Sequence, residues 1–425
     1  MLPTSLTENQ PFQGQSGQAV TLPQSAYLHI PFCRRRCYYC DFPISVLGMG
    51  ANPDSLPVEE YLEALTQEIS LAPAGGQPLQ TVFFGGGTPS LLSPAQLNAL
   101  LECLDSRFGL AAAAEISLEI DPGTFDGPKL QGYLQAGINR FSLGIQAFQE
   151  ELLQLCGRSH NRQEILISVE LLHQAGVSNL SFDLISGLPH QSEEQWVQSL
   201  QGALALAPQH LSCYDLVLEP ITAFGRLYQT GKQPLPADET TAQMYRLAQQ
   251  HLSDAGYEHY EISNYAQSGY QCRHNQVYWQ NQPYYGFGMG AASYVNGQRF
   301  TRPRNRREYY LWLAQLRDNQ GKINCPVTSL HDELLETLML GLRQSRGIDL
   351  LFLGDKFGHE TVACLWRCLQ SYLQQGWVEF SDRQGHPVPA SAIAISRLAR
   401  LRLSDPEGFL FSNQILTALF EQLTP

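Results

Sequence analysis

Short β-rich runs and helical periods alternate over the first half of the chain. Ala26–Ile30, Thr81–Phe84, Ile116–Ile120, Arg140–Ile145, Leu180–Leu184 and His210–Leu216 read as strands. Between them, Val58–Leu71 carries apolar residues at Val58, Leu62, Leu65 and Ile69, the spacing of one helix face. Pro94–Leu104 repeats the pattern, with Ser93 as a candidate cap before Pro94. Ile165–Leu172, Gln191–Leu206 and Thr240–Leu252 also read as helices. Strands alternating with helices predict βα units and a parallel sheet, hence an α/β fold. The rhythm is lost from about Gln233. An aromatic-rich stretch, Tyr257–Tyr294, leads into a helical segment from His331. The runs Ile348–Leu353, Thr361–Leu373, Trp377–Phe380, Leu401–Leu403 and Phe409–Phe411 precede a final helix, predicting a small α+β module that is winged-helix-like.

A parallel βα series presents its functional loops at the carboxyl ends of its strands. Each of the first five predicted strands is followed by polar or glycine-rich chemistry: PFCRRRCYYC, GGGTPS, Glu119 with DPGT, Gln146, and Asp183 with SGLP. Any one of these is an ordinary turn. Together they point to one shared site.

Composition narrows the function classes. With 27 basic and 40 acidic residues the net charge is −13, which argues against broad binding of nucleic acid, although a local basic patch such as Arg302, Arg304, Arg306 and Arg307 is allowed. That cluster reads as a solvated face or a contact for a carboxylate. No run reaches the ~18 apolar residues of a membrane span. The stretch from Met1 to Ser25 is polar and has no apolar signal-peptide core, so a cytoplasmic location is expected. Ten cysteines in such a chain read as thiols or metal ligands.

Three of the ten stand apart. Cys33, Cys37 and Cys40 form C-x3-C-x2-C directly after a strand. Three thiolates on one loop can hold three corners of an iron–sulfur cubane and leave the fourth iron open. Arg34, Arg35 and Arg36 would offset the negative charge of such a cluster. The competing reading is a zinc knuckle, for which no clear fourth ligand is present: Asp41 is poorly placed and His29 lies on the strand. The other seven cysteines read as core thiols, with Cys364 and Cys368 one helical turn apart.

The string Tyr27-x5-Cys33-x3-Cys37-x2-Cys40, followed by GGGTP at Gly85–Pro89, resembles the radical S-adenosylmethionine (SAM) superfamily. SLEIDPGT, RFSLGIQAF, GRSH, SFDLISGLP and YEISNYA extend the likeness to the subfamily of the oxygen-independent coproporphyrinogen III dehydrogenase and the haem chaperones, over nearly the whole chain. The resemblance implies a partial (β/α)6 barrel over 26–232, behind a tail 1–25. An accessory region 233–325 and a C-terminal module 326–425 would follow. It implies a [4Fe–4S] cluster on Cys33, Cys37 and Cys40. Tyr27, Tyr39, Gly86, Gly87, Thr88 and Glu119 would be SAM contacts, and Gln146, Arg158 and Asp183 would stand where the dehydrogenase holds a second SAM.

Two features separate the subfamilies. The dehydrogenase carries a fourth cysteine two residues after the third, where this chain has Phe42. Its N-terminal arm is also longer than the 26 residues ahead of Tyr27. The string His274-Asn275-Gln276-Val277-Tyr278-Trp279 matches the HNxxYW pattern of the haem chaperones, so the resemblance implies haem contact at His274, Asn275, Tyr278 and Trp279. Imidazole can ligate haem iron and aromatic rings offer a flat apolar surface. The expectation is a haem chaperone with a SAM-liganded cluster, an unknown acceptor protein, and no nucleic-acid partner. The alternative is an enzyme that uses SAM cleavage to oxidise a porphyrinogen.

Overall fold

The computed structural model describes residues 22–389 and 398–423, so most of the 1–25 tail lies outside the described residues. Six strands lie side by side in chain order, and every neighbouring pair is parallel: β1 (Ser25–Ile30), β2 (Leu79–Gly86), β3 (Leu110–Ile120), β4 (Arg140–Gln146), β5 (Leu180–Ser186) and β6 (His210–Asp215). Helices α1 (Leu56–Leu71), α2 (Pro94–Phe108), α3 (Gly127–Gln135), α4 (Arg162–Gln174) and α5 (Glu193–Ala205) connect them. This is the expected α/β series. The α2 start is fixed as its sequence predicts: Ser93 Oγ accepts from Gln96 N, and Gln96 Oε1 accepts from Ser93 N. Asn161 and Ser192 cap α4 and α5 in the same way. Strand β3 begins six residues before the predicted Ile116, because Ala111–Ala114 carries no β signature and is recruited by pairing of Leu79 with Leu110.

The period of two along each strand divides two environments. Leu28, Ile30, Val82, Phe84, Leu118, Leu143, Phe182 and Leu184 are buried in one continuous core with α1, α2, α4 and α5. The alternate positions hold Tyr27, His29, Thr81, Glu115, Ser117, Glu119, Arg140, Ser142, Ser181 and Asp183. A parallel sheet ordinarily presents apolar side chains on both faces. Its polar second face marks the concave interior of the barrel as a site.

The region 233–325 extends this sheet at both edges. After α6 (Asp238–Asp254), strands β7 (Glu258–Glu261) and β8 (Asn264–Ala266) continue it antiparallel beyond β6. Strand β9 (Tyr285–Phe287) pairs parallel with β1 at the other edge. Between them the short helix α7 (Arg273–Trp279) sets its first turn against Glu115 of β3, whose carboxylate accepts from Arg273 N at 3.1 Å and His274 N at 3.0 Å. A carboxylate there satisfies free amides and complements the helix dipole. Arg302 corrects an expectation. It belongs to no solvated face but is 5% exposed and paired with the buried Glu68 at 2.7 Å.

The C-terminal module has its own core, built around Leu338, Leu353, Leu365, Phe380, Leu401 and Ile415, and a three-stranded antiparallel sheet of Ile348–Asp349, Val378–Ser381 and Arg400–Leu403. Ile348–Leu353 turns helical after two residues because Asp349 Oδ1 caps the amides of Leu351 and Phe352. Residues 407–410 form a helical turn, so Phe409–Phe411 is not a strand. Cys364 and Cys368 do meet on one helix face, with their sulfurs 3.7 Å apart. The end of β7 and the residue after it join the two bodies: Ile262 N donates to Arg343 O and Ser345 N to Tyr260 O.

Candidate functional site

The cysteine loop starts on a two-residue strand, Phe32–Cys33, paired with Ser45–Val46. Leu47 N donates to Cys33 O at 2.9 Å and Cys40 N to Cys37 O at 3.3 Å, which closes the loop on itself. Arg36 stitches it further by donating to the carbonyls of Cys40, Phe42 and Ile44. Of the three arginines, this one is structural. Tyr38 N donates to Cys156 O, so the loop leans on the segment after β4. Burial pushes the Cys33 thiol up to about 12 and the Cys40 thiol up to about 11. Protons stay on such thiols unless a metal displaces them. Cys33, Cys37 and Cys40 all line one cavity, yet among the described residues no three His, Cys, Asp or Glu side chains converge on the position of a single ion.

The glycine turn ending β2 lies directly behind the loop. Gly86 has φ +116°, and a Cβ there would stand 2.5 Å from the His29 ring. At Gly87 it would stand 2.7 Å from Phe32 O and 2.9 Å from Cys33 Sγ. No other residue fits between β2 and the loop at these two positions. Thr88 N donates to Phe32 O, and its hydroxyl faces Cys33 Sγ at 3.7 Å and Asp121 Oδ2 at 3.1 Å.

Two neighbouring carboxyl groups, Glu119 and Asp183, stand at the cavity end of the barrel interior. Glu119 Oε2 accepts from Gly86 N at 2.9 Å, and burial with the nearby Asp183 pushes its pKa up to about 8. Burial raises Asp183 as well, although its oxygens accept from Ser142 Oγ at 3.1 and 3.2 Å. Two buried acids that repel each other favour a cationic group beside them. Gln146 ends β4 with φ +69°, beside a register break between Gly144 and Gln146. That backbone costs energy for a residue with a side chain and turns the amide into the cavity.

Arg158 completes the wall. Its Nη1 donates to Cys37 Sγ and to Tyr39 Oη, both at 3.4 Å, while its Nη2 donates to Gly144 O at 3.0 Å and is paired with Asp121. Asp121 therefore touches both Thr88 and Arg158, the two groups that face cysteine sulfurs. Asp121 was not among the expected site residues; its one signal was its place in the DPGT turn ending β3.

The cavity is about 440 Å³. Its lining includes every residue expected around the cluster and SAM except Tyr27. Tyr27 lies one layer deeper, its hydroxyl 3.0 Å from His29 Nδ1 and its ring stacked on Phe83. His274, Asn275, Tyr278 and Trp279 lie elsewhere. His274 is 1% exposed at the base of the barrel, stacked on Phe83. Its Nδ1 meets Thr81 Oγ1 at 2.7 Å and its Nε2 meets Tyr278 Oη at 2.8 Å, and burial pushes its pKa down to about 3. The ring has no free nitrogen. Cys272 is buried and directed at Glu115.

A parallel six-strand barrel with a three-cysteine loop, a glycine turn and buried acids at one end is the architecture of a radical SAM protein. The radical SAM superfamily model matches residues 27–202, and the HemN C-terminal domain model matches 328–385. The Synechocystis heme chaperone HemW is 50% identical over 406 residues, 95% of this chain and 97% of that protein. Its Bacillus subtilis counterpart is 35% identical over 84% of this chain and 93% of its own. The solved coproporphyrinogen III oxidase (HemN) of Escherichia coli aligns with a TM-score of 0.75 over 94% of this chain and 90% of that one, at 24% identity, a likeness of fold. The chain belongs to the HemW family of the radical SAM superfamily. Membership of the superfamily implies a [4Fe–4S] cluster and SAM. Among the described residues no helix is long and apolar enough to cross a membrane.

Proposed function

We propose that this protein binds haem and passes it to an acceptor protein, with a SAM-liganded [4Fe–4S] cluster as part of the same molecule. Cys33, Cys37 and Cys40 would hold three irons. Gly86, Gly87 and Thr88 would lie against SAM, with Tyr39 beside it and Tyr27 behind the turn. Glu119 and Asp183 would face its positive charge, and Gln146 and Arg158 would close the wall. When bound, the cluster supplies an open iron for the amino and carboxylate groups of SAM and an electron for its cleavage. The observation that carries this reading is one cavity lined by the three cysteines, the glycine turn and both acids, in a chain half identical to a heme chaperone over almost its full length. A cluster with an open iron needs reducing surroundings, which supports a cytoplasmic protein. The acceptor would be a haem-requiring protein.

The HNxxYW segment belongs to this reading as a buried element. Haem ligation by His274 would require Thr81 or Tyr278 to release the ring. Asn275 and Trp279 would move with it on α7.

Anaerobic reconstitution followed by counts of iron, sulfide, SAM and haem per chain tests the reading. One cluster and stoichiometric haem are expected, with the cluster absorbance lost in Cys37→Ser. A variant that keeps full iron and charge-transfer absorbance would remove the cluster assignment. Phe42, at the position of the dehydrogenase's fourth cysteine, favours the chaperone over the enzyme. Several turnovers of coproporphyrinogen III by the purified protein would reverse that preference.

A further inference from the structure

The location of the haem does not follow from the HNxxYW segment. Thr81, which holds His274, and Gly86, at the turn, are five residues apart on β2, roughly 16 Å of strand. The segment therefore lies at the opposite end of the barrel from the cavity. The cavity itself, about 440 Å³, is the scale of one small ligand. Once the cluster and SAM are inside, a broad flat ligand has to lie across its mouth.

The mouth is built for such a ligand. Phe42 is 56% exposed, Tyr214 43% and Val217 64%, and all three line the cavity opening. Exposed large apolar residues scattered singly are ordinary; gathered at one opening they mark a binding surface. They come from two sides, Phe42 from the cysteine loop and the other two from the end of β6 and the segment beyond it. A bond from Phe224 N to Tyr38 O, 2.9 Å, with the two rings in contact, ties those sides together.

Charge fixes an orientation. Arg36 is committed to loop carbonyls, but Arg34 lines the cavity with a buried Nε that has no hydrogen-bond partner among the described residues, and Arg35 is exposed beside it, its guanidinium resting over the Tyr38 ring. Of the acids at the mouth, Asp41 is engaged by Arg304, and Asp215 accepts from Ser186 with its pKa raised by burial. Glu219 puts negative charge on the β6 side. A flat apolar ligand with carboxylates on one edge would turn that edge to Arg34 and Arg35.

We propose that haem docks across this mouth, its macrocycle against Phe42, Tyr214 and Val217 and its propionates toward Arg34 and Arg35. The site rests on the haem-carrying reading above. It would bring the cargo over the cluster pocket and leave its outer face open to an acceptor.

The test is an anaerobic haem titration of the cluster-loaded protein, with iron content and cluster absorbance read on each sample. These rim residues are exposed, so their replacement leaves the core intact. The double variant Phe42→Glu, Val217→Glu is expected to raise the haem Kd at least tenfold, about 1.4 kcal/mol. Arg35→Glu should weaken haem several-fold but leave the affinity for haem dimethyl ester unchanged. Wild-type affinity in both variants would overturn the site. A wild-type protein that takes up no haem at all would instead remove the chaperone reading, and this site with it.

Discussion

Asp121 and Arg158 form an ion pair at the wall of the cysteine-lined cavity, with side chains 20% and 7% exposed. The pair does more than neutralise two charges. Arg158 donates to Cys37 Sγ, and Asp121 also accepts from Thr88, whose hydroxyl faces Cys33 Sγ. One carboxylate thus positions the two donors that reach two of the three loop thiols. Hydrogen bonds to cluster sulfurs are among the determinants of reduction potential. Asp121→Asn removes the charge and loosens both donors. The reconstituted cluster of this variant should have a shifted potential and an altered EPR signal, with partial rescue in Asp121→Glu. An unchanged potential and spectrum would show that the pair serves only packing.

The buried ion pair Glu68–Arg302 joins α1 to the region after β9. Glu68 also accepts from Tyr309 Oη at 2.7 Å and Gly288 N at 2.8 Å, and Arg302 donates to Ser293 Oγ at 2.6 Å. Removing one member of a buried pair leaves the other uncompensated. Glu68→Ala should lower stability by about 3–5 kcal/mol, seen as a reduced urea midpoint. Replacement of both by Met should recover much of that loss.

The histidines of the barrel set its lower pH limit. Burial lowers His274 to about 3 and both His29 and His160 to about 4, from an ordinary value of 6.5. In the unfolded chain these rings take up protons below pH 6.5; in the fold they do not. Their contribution is fully present above pH 6.5 and is lost as pH falls toward 4. By themselves these rings lower the urea midpoint between pH 7 and pH 5, against the opposite slope of the raised Glu119 and Glu261 carboxyls in the same window. Tyr278→Phe, which leaves Nε2 of His274 without its partner, should lower stability at pH 7 by about 1–3 kcal/mol.

Much of this was legible in the sequence, for physical reasons. The strands follow from β-rich runs with turn residues behind them, and the cap at Ser93 follows from a local pattern of four residues. The cavity follows because chemistry after several parallel strands must converge at one end. The place of α7 did not follow. It is set by hydrogen bonds between Glu115 and amides 158 and 159 residues further along the chain, which leave no local trace. The bulge at Gln146 and the hub at Asp121 were hidden in the same way, since each depends on which neighbour the side chain meets.

Glu119 lines the cavity proposed to take SAM. Its carboxyl is raised from about 4.5 to about 8, first by burial and then by Asp183. The sign is opposite to that of the histidines: the unfolded chain ionises this group above pH 4.5, while the fold keeps it protonated. The resulting destabilisation grows as pH rises from about 4.5 to about 8 and levels off beyond. Glu119→Gln should remove that slope from the cofactor-free protein. A cationic ligand beside Glu119 favours its ionised form and pulls the pKa down. SAM uptake by the cluster-loaded protein at pH 7 should therefore release protons, measured by titration calorimetry in buffers of different ionisation enthalpy, and Glu119→Gln should release fewer. Equal proton release by the two proteins would detach Glu119 from the bound cation.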